Sequence, residues 1–315
     1  MTTEPMIQIK ASAVAPQAYR CRLQGRSQAT VADYWALTKP EINFLIAIAT
    51  FVGFYLGVAG RFHDFPVLLS IHTLLGTLLV AAGTGTLNQY VERSYDAQMR
   101  RTVRRPVASG RLKPSAALRF GIGLSAAGSI YLAVAVNALA SLLAVLTLLG
   151  YLFVYTPLKR KSPLCILVGA FPGAMPPLIG WAAANGSLSR EAWVLYSLLF
   201  FWQFPHFMAI AWMHREDYAR AGYLVLPRGK SQGIVVTLQT LLPLVALVSL
   251  SLILPPARYA LPYLAGALLL GSGFFYYAVQ FVLRRSGPTA QRLLFASIVY
   301  LPSLLIMMAL VRVNF

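Results

Sequence analysis

Apolar residues come along this chain in nine blocks of about 20, each long enough to cross a hydrocarbon core as a helix. They lie at roughly 42–60, 67–90, 116–136, 139–156, 164–183, 193–213, 234–254, 261–283 and 293–312. In lipid every backbone N–H and C=O must find its partner within the protein, so blocks of this length span as helices. Composition agrees, with 11% of the 315 residues charged and 58% hydrophobic, where a soluble chain carries about 25% charged residues. The expected fold is an all-α polytopic membrane protein with nine transmembrane helices. No insertion is long enough to fold alone, so residues 41–315 are read as one transmembrane domain behind an N-terminal tail at 1–40.

The net charge of +18 would suggest nucleic acid in a soluble protein, but its distribution points to a membrane. With a cytoplasmic N-terminus, segments 1–41, 91–115, 157–163, 214–233 and 284–292 share one side and hold 22 of the 27 Lys and Arg residues. Arg119 joins them at a helix start, while Arg61, Arg190, Arg258 and Arg312 are left to the other side. This positive-inside pattern puts the N-terminus in and the C-terminus out, as an odd number of crossings requires. Cys21 and Cys165 have no metal-ligand spacing and suggest no disulfide. Residues 1–30 are polar, hold Lys10, Arg20, Arg22 and Arg26, and lack the apolar core of a signal peptide. Glu4 and the lack of an Arg/Ser-rich amphipathic pattern argue against a mitochondrial presequence. A disordered cytoplasmic tail and a bacterial inner membrane are expected, with the mitochondrial inner membrane as the alternative. Thr38-Lys39-Pro40-Glu41 then breaks the chain and starts the first span.

Two loops on the basic side, 91–115 and 214–233, hold four of the nine acidic residues: Glu92, Asp96, Glu216 and Asp217. They are four helices apart and share an orientation, which hints at a parallel repeat. Gly53 and Gly57, Gly83 and Gly85, and Gly169 and Gly173 predict close helix packing. The run Ala-Ala-Gly-Thr-Gly-Thr before Asn88 precedes no Lys-Ser/Thr and lies inside an apolar helix, so it is not a nucleotide loop. Pro172, Pro176 and Pro177, with Gly173 and Gly180, predict a kinked or broken fifth span.

Asn88, Glu92 and Asp96 stand at four-residue spacing where the second block meets a basic loop. On a helix, successive fourth residues drift by about 40° and rise about 6 Å, so these side chains line one stripe. Carboxylates so near a bilayer are costly unless something uses them. Arg100, Arg101, Arg104 and Arg105 follow at once. Oxygen donors for a hard cation beside arginines for an anion suit a Mg²⁺-bound phosphate or diphosphate. Glu92 and Asp96 supply carboxylates, Asn88 an amide oxygen, and Arg100 or Arg104 neutralises phosphate charge; Arg105-Pro106 reads as a turn out of the motif. In the second loop Asp217 is the metal candidate, with Tyr218 and Arg220 beside it, while Glu216 reads as solvated. A third cluster, Tyr155 to Lys161, places Lys159 and Arg160 on the same side. In the sixth block Trp202-Gln203-Phe204-Pro205-His206-Phe207 sets Gln203 and His206 in an apolar span, where each needs a partner, and reads as a polar pocket. His63 and His72 read as ordinary packing or surface residues.

The run Asn88-Gln-Tyr-Val-Glu-Arg-Ser-Tyr-Asp-Ala-Gln-Met-Arg-Arg-Thr-Val-Arg-Arg-Pro106 resembles the first signature of the UbiA-type intramembrane prenyltransferases. Three further stretches, Tyr155–Trp181, Trp202–Phe207 and Asp217–Pro227, are similar to the branch of that family that farnesylates haem. The resemblance covers about residues 35–310. Many relatives carry Asp where this chain has Glu92, and Glu216-Asp217 replaces the spaced aspartates of the quinone-precursor branch, which favours the haem branch. The resemblance implies farnesyl diphosphate as donor and haem b as acceptor, giving haem o and diphosphate, in a helical cavity open to the cytoplasmic side. It implies Mg²⁺ on Asn88, Glu92, Asp96 and Asp217, and a diphosphate held by Arg100, Arg104, Lys159 and Arg160 near Tyr155. Gln203 and His206 are implied as haem-side contacts, His206 either as an iron ligand or as a polar contact to a propionate or vinyl edge. A haem a synthase or an oxidase assembly factor is the implied recipient of the product. The competing readings are a prenyltransferase of an aromatic or quinone precursor, a transporter of an anionic substrate, and a non-catalytic scaffold for oxidase assembly.

Overall fold

The computed structural model describes residues 29–58, 65–227, 229, 232–253 and 260–311. Glu4, Lys10, Arg20, Cys21, Arg22, Arg26, Arg61, His63, Arg258 and Arg312 lie outside the described residues. Among the described residues nine helices are long and apolar enough to cross a membrane. In chain order they are Pro40–Gly57, Val67–Asp96, Pro114–Ala135, Ala138–Leu158, Cys165–Asn185, Arg190–Met213, Gln232–Leu252, Leu261–Arg284 and Gly287–Leu310. These match the nine apolar blocks, with no strand among the described residues.

The fifth and sixth spans are the inner helices: 67% and 56% of their apolar stretches are buried, against 22–39% for the other seven. The fifth is broken as its prolines and glycines predict, into Cys165–Gly173 and Met175–Asn185 joined at a fully buried Ala174. Its second half packs on the first span through paired glycines. A methyl group on Gly53 would meet the backbone of Pro177, and one on Gly180 the backbone of Thr50 and Phe54. Only hydrogen lets two backbones come this close. The second and third spans interlock the same way, Gly83 facing Ser125 and Gly128 facing Val80.

Two local features shape one end of the bundle. The fourth span widens into a π-helical turn at Gly150–Tyr155, bringing Tyr151, Tyr155 and Thr156 to the place where Lys159 emerges. Such turns concentrate at functional sites. The second span, expected to end near residue 90, instead runs to Asp96, so Asn88, Glu92 and Asp96 share its last turns.

The segment just before the first span also differs from the expected tail. Thr30 and Asp33 form a reciprocal capping box that starts a helix at Val31–Leu37. This pre-span helix buries Leu37 against Val107 and Leu112 of the loop after the second span and Ala117 at the start of the third. Asp33 pairs with Arg111 at 2.8 Å, and the Gln89 side chain donates to the carbonyls of Ala36 and Leu37, both at 3.2 Å. An amphipathic helix of 7 residues is too short for a periodic signal to stand out.

Candidate active site

Four segments distant in sequence meet where the second, fourth and sixth spans end. The last turns of the second span bury Asn88, Glu92 and Asp96 at 1%, 5% and 1% exposure. Glu92 is the centre. Its Oε1 accepts from Lys159 Nζ at 2.8 Å and from the Tyr223 hydroxyl at 3.0 Å, and its Oε2 accepts from Asn88 Nδ2 at 2.9 Å. Asn88 turns its Oδ1 to Lys39 Nζ at 2.8 Å. Asp96 is held by both oxygens from Arg105 Nη1, at 2.9 and 2.8 Å, while Thr102 donates to its carbonyl at 2.9 Å.

The loop after the sixth span closes over this cluster. Leu224 N donates to Lys159 O at 2.8 Å. Met99, Ala221 and Tyr223 form a small apolar contact with Tyr95, Tyr218 and Val225. Asp217 Oδ2 accepts from the backbone N–H of Arg101 at 3.2 Å, and Asp217 Oδ1 pairs with Arg220 at 3.2 Å. Partial burial acts to raise the Asp217 pKa, but the N–H groups of Arg101 and Arg100 and the Arg220 charge outweigh it and hold the carboxyl below its ordinary range. Asp217 thus fastens the second acidic loop to the first.

The residues expected to form a site are gathered here, though not all in the expected way. Glu92 and Asn88 share one polar cluster with Lys159, while Asp96 and Asp217 are each taken up by an arginine or a backbone N–H. Among the described residues no three His, Cys, Asp or Glu side chains gather as a metal-holding group. Arg100 and Arg104 are exposed. Arg105, expected only to turn the chain, clamps Asp96 instead. Tyr155 lies with its ring centre 4.6 Å from Lys159 Nζ, and Arg160 covers Tyr95 at 4.5 Å.

Gln203 and His206 lie on the sixth span. Gln203 is buried and donates to the carbonyls of Ala170 and Leu199, both at 3.1 Å, so its amide braces the fifth span just before its break. His206 is half-buried, stacks on Trp202 at 4.4 Å, and meets Ser297 Oγ through Nδ1 at 2.8 Å. Trp202 Nε1 donates to the Ser297 carbonyl at 2.8 Å, locking this group to the ninth span.

Lys39, Tyr223, Thr156 and Ser297 were not legible as site residues. Lys39 reads locally as the break before a proline, and only the tertiary fold turns it inward. Tyr223 had a weak signal, standing as the first apolar residue after Gly222, whose φ of 71° makes the turn that aims the loop back.

The model of the UbiA prenyltransferase family matches residues 46–299. A protoheme IX farnesyltransferase of Solibacter usitatus is 45% identical over 89% of this chain and 98% of its own length. Among solved structures, a digeranylgeranylglyceryl phosphate synthase superposes with a TM-score of 0.70 at 18% identity, covering 90% of this chain and 99% of that one. A UbiA homolog from Archaeoglobus fulgidus, bound to GPP and Mg²⁺, gives 0.59 at 15% identity over 88% and 99% of the two chains. The matched residues take in seven whole spans and most of the first and last, and the chain belongs to the UbiA prenyltransferase family.

Proposed function

We propose that this chain transfers the farnesyl group of farnesyl diphosphate to a vinyl group of haem b, with addition of water, giving haem o and diphosphate. The 45% identity to a protoheme IX farnesyltransferase over nearly its full length carries this reading. The buried polar cluster around Glu92 is consistent with it.

Breaking an allylic C–O bond requires that the departing diphosphate's negative charge be absorbed as it forms. The donor set of Asn88, Glu92 and Asp96 is all oxygen, and cations of the chain already sit on all three side chains. Such a set fits a hard cation, and these residues, with Asp217, would hold Mg²⁺. When bound, Mg²⁺ supplies Lewis-acid stabilisation of the leaving group. Lys159, released from Glu92, and Arg100, Arg104 and Arg160 at the rim bind diphosphate oxygens, with Tyr155 beneath Lys159. The apolar tail lies among the helices, where exclusion of water protects the allylic cation from hydrolysis.

His206 is the haem contact. Its Nδ1 is engaged by Ser297, which leaves Nε2 to face the acceptor as an iron ligand or an edge contact. Gln203 supports this region through the fifth span rather than by touching haem. The charge asymmetry supports a site on the cytoplasmic side; the membrane is a bacterial inner membrane, and a haem a synthase or oxidase assembly factor receives the product.

The deciding experiment is mass spectrometry of haems from cells that lack haem o and express this chain. A haem heavier by one farnesyl and one hydroxyl group is expected; a prenylated aromatic ring with unaltered haem would sink the assignment. Purified protein given Mg²⁺, farnesyl diphosphate and haem b should form the same product. Asp96→Asn should insert in the membrane and lose at least about 100-fold in turnover. Normal turnover in that variant would remove Asp96 from the metal set.

A further inference from the structure

The second acidic loop brings no free carboxylate to the first, because Asp217 is taken up by the Arg101 N–H and by Arg220. What that loop brings to Glu92 is a phenol. The buried Tyr223 hydroxyl donates to Glu92 Oε1 at 3.0 Å, from 131 residues away. Lys159 Nζ donates to the same oxygen at 2.8 Å. Among the described residues Oε2 accepts from Asn88 Nδ2 alone, at 2.9 Å. An ionised carboxylate can only accept, so a phenol that keeps its proton is a lasting partner for it.

Tyr223 is aimed independently of Glu92. Gly222 turns the chain with a φ of 71°, and Tyr223 N donates to Tyr218 O and Leu224 N to Lys159 O, both at 2.8 Å. The ring packs on Tyr95 and Tyr218, with centres 5.8 and 6.0 Å apart. Glu92 is less well fixed by its own covalent structure. It has one more rotatable bond than an aspartate would, so holding it in one rotamer costs more entropy. In the free protein the Lys159 charge helps to hold it. Lys159 is also the cation that diphosphate draws away in the proposed reaction, and Tyr223 is then the donor left on Oε1. Groups that ligate a metal are themselves held by hydrogen bonds, and losing such a partner costs about 10- to 100-fold in metal affinity.

We propose that Tyr223 is a positioning residue for Glu92: its hydroxyl keeps Oε1 engaged and so presents the other carboxylate oxygen to a divalent cation once Lys159 has moved to the anion. This rests on reading the cluster as a site for Mg²⁺ and diphosphate. No bond to Tyr223 forms or breaks, and its proton stays on the phenol. The second loop thus serves the site through a neutral donor rather than through a second free carboxylate.

The test is Mn²⁺ binding to purified protein in nanodiscs, read by electron paramagnetic resonance with inorganic diphosphate present. Tyr223→Phe keeps the ring and loses only the hydroxyl. Its Mn²⁺ affinity should fall about 10- to 100-fold, with a melting temperature within a few degrees of the parent's. An effect through loop packing alone would not depend on the side chain at position 92, so the same change is made in a Glu92→Asp background. There the shorter carboxylate falls out of the hydroxyl's reach, and Tyr223→Phe should cost no more than about twofold. Parent-like Mn²⁺ affinity in Tyr223→Phe, or an equal loss in both backgrounds, overturns the proposal. If the parent itself binds no Mn²⁺ with diphosphate, the metal reading of the cluster falls and takes the proposal with it. If Mn²⁺ binding depends on Tyr223 yet no haem o is made, the acceptor assignment fails while Tyr223 stands.

Discussion

Glu92 shows how a residue can be legible in type but not in circumstance. The four-residue spacing with Asn88 and Asp96 follows from helix geometry alone, and the helix indeed carries all three on its final turns. That Lys159 lies 2.8 Å and Tyr223 3.0 Å from Glu92 depends on contacts 67 and 131 residues away, which no local pattern reveals. The pair is enclosed, with side-chain exposures of 13% for Lys159 and 6% for Glu92. Removing one partner leaves the other buried and uncompensated, so Glu92→Ala should cost about 3–5 kcal/mol. Thermal unfolding in detergent checks this, and Glu92→Ala with Lys159→Met should recover much of the stability while turnover stays lost. If the double variant is no more stable than the single, Lys159 finds water or another anion, and the enclosed pair is not what holds these two spans together.

At the scale of elements, legibility follows how local the cause is. The break in the fifth span was written in Pro172, Pro176 and Gly173, residues that act on their own turn. The π-helical turn at Gly150–Tyr155 was not, since it lies inside an apolar block and carries no proline to mark it. The pre-span helix was missed for a similar reason: its capping box is a short signal, but its order comes from the Asp33–Arg111 pair and the Gln89 side chain. That pair makes the element sensitive to acid. The Arg111 hydrogen bond, against opposing desolvation and with help from Thr30, holds the Asp33 pKa below its ordinary value of 3.8. A carboxyl depressed in the folded state contributes stability that is complete above the unfolded pKa and lost as pH falls through the folded one. The pre-span helix should therefore detach below about pH 3.8. Fluorescence of Trp35, with the other four tryptophans replaced by Phe, should report a transition there. In Arg111→Ala the transition should move upward; an unmoved midpoint would mean that Asp33 does not anchor the helix.

For the whole molecule, the nine spans were readable because lipid imposes one rule on every crossing segment. Their arrangement was not, since blocks of similar hydropathy do not say which lie inside. Small residues gave a partial answer: the fifth span, with Gly169, Gly173 and Gly180, is an inner helix, and its glycines meet Tyr155, Gln203 and the first span. Charge predicts the orientation. Two exposed serines, Ser109 after the second span and Ser187 after the fifth, fall at opposite ends of the bundle because three crossings separate them. In a chain freed of Cys21 and Cys165, a membrane-impermeant maleimide on intact cells should label Ser187→Cys and not Ser109→Cys. Inverted vesicles should give the reverse. Loop 97–113 carries Arg104 and the Arg105 that clamps Asp96, so Ser109 reports the side on which the proposed diphosphate entrance lies. Labelling of Ser109→Cys from outside would put that entrance away from the cytoplasm and would mean that the basic loops do not set the topology of this chain.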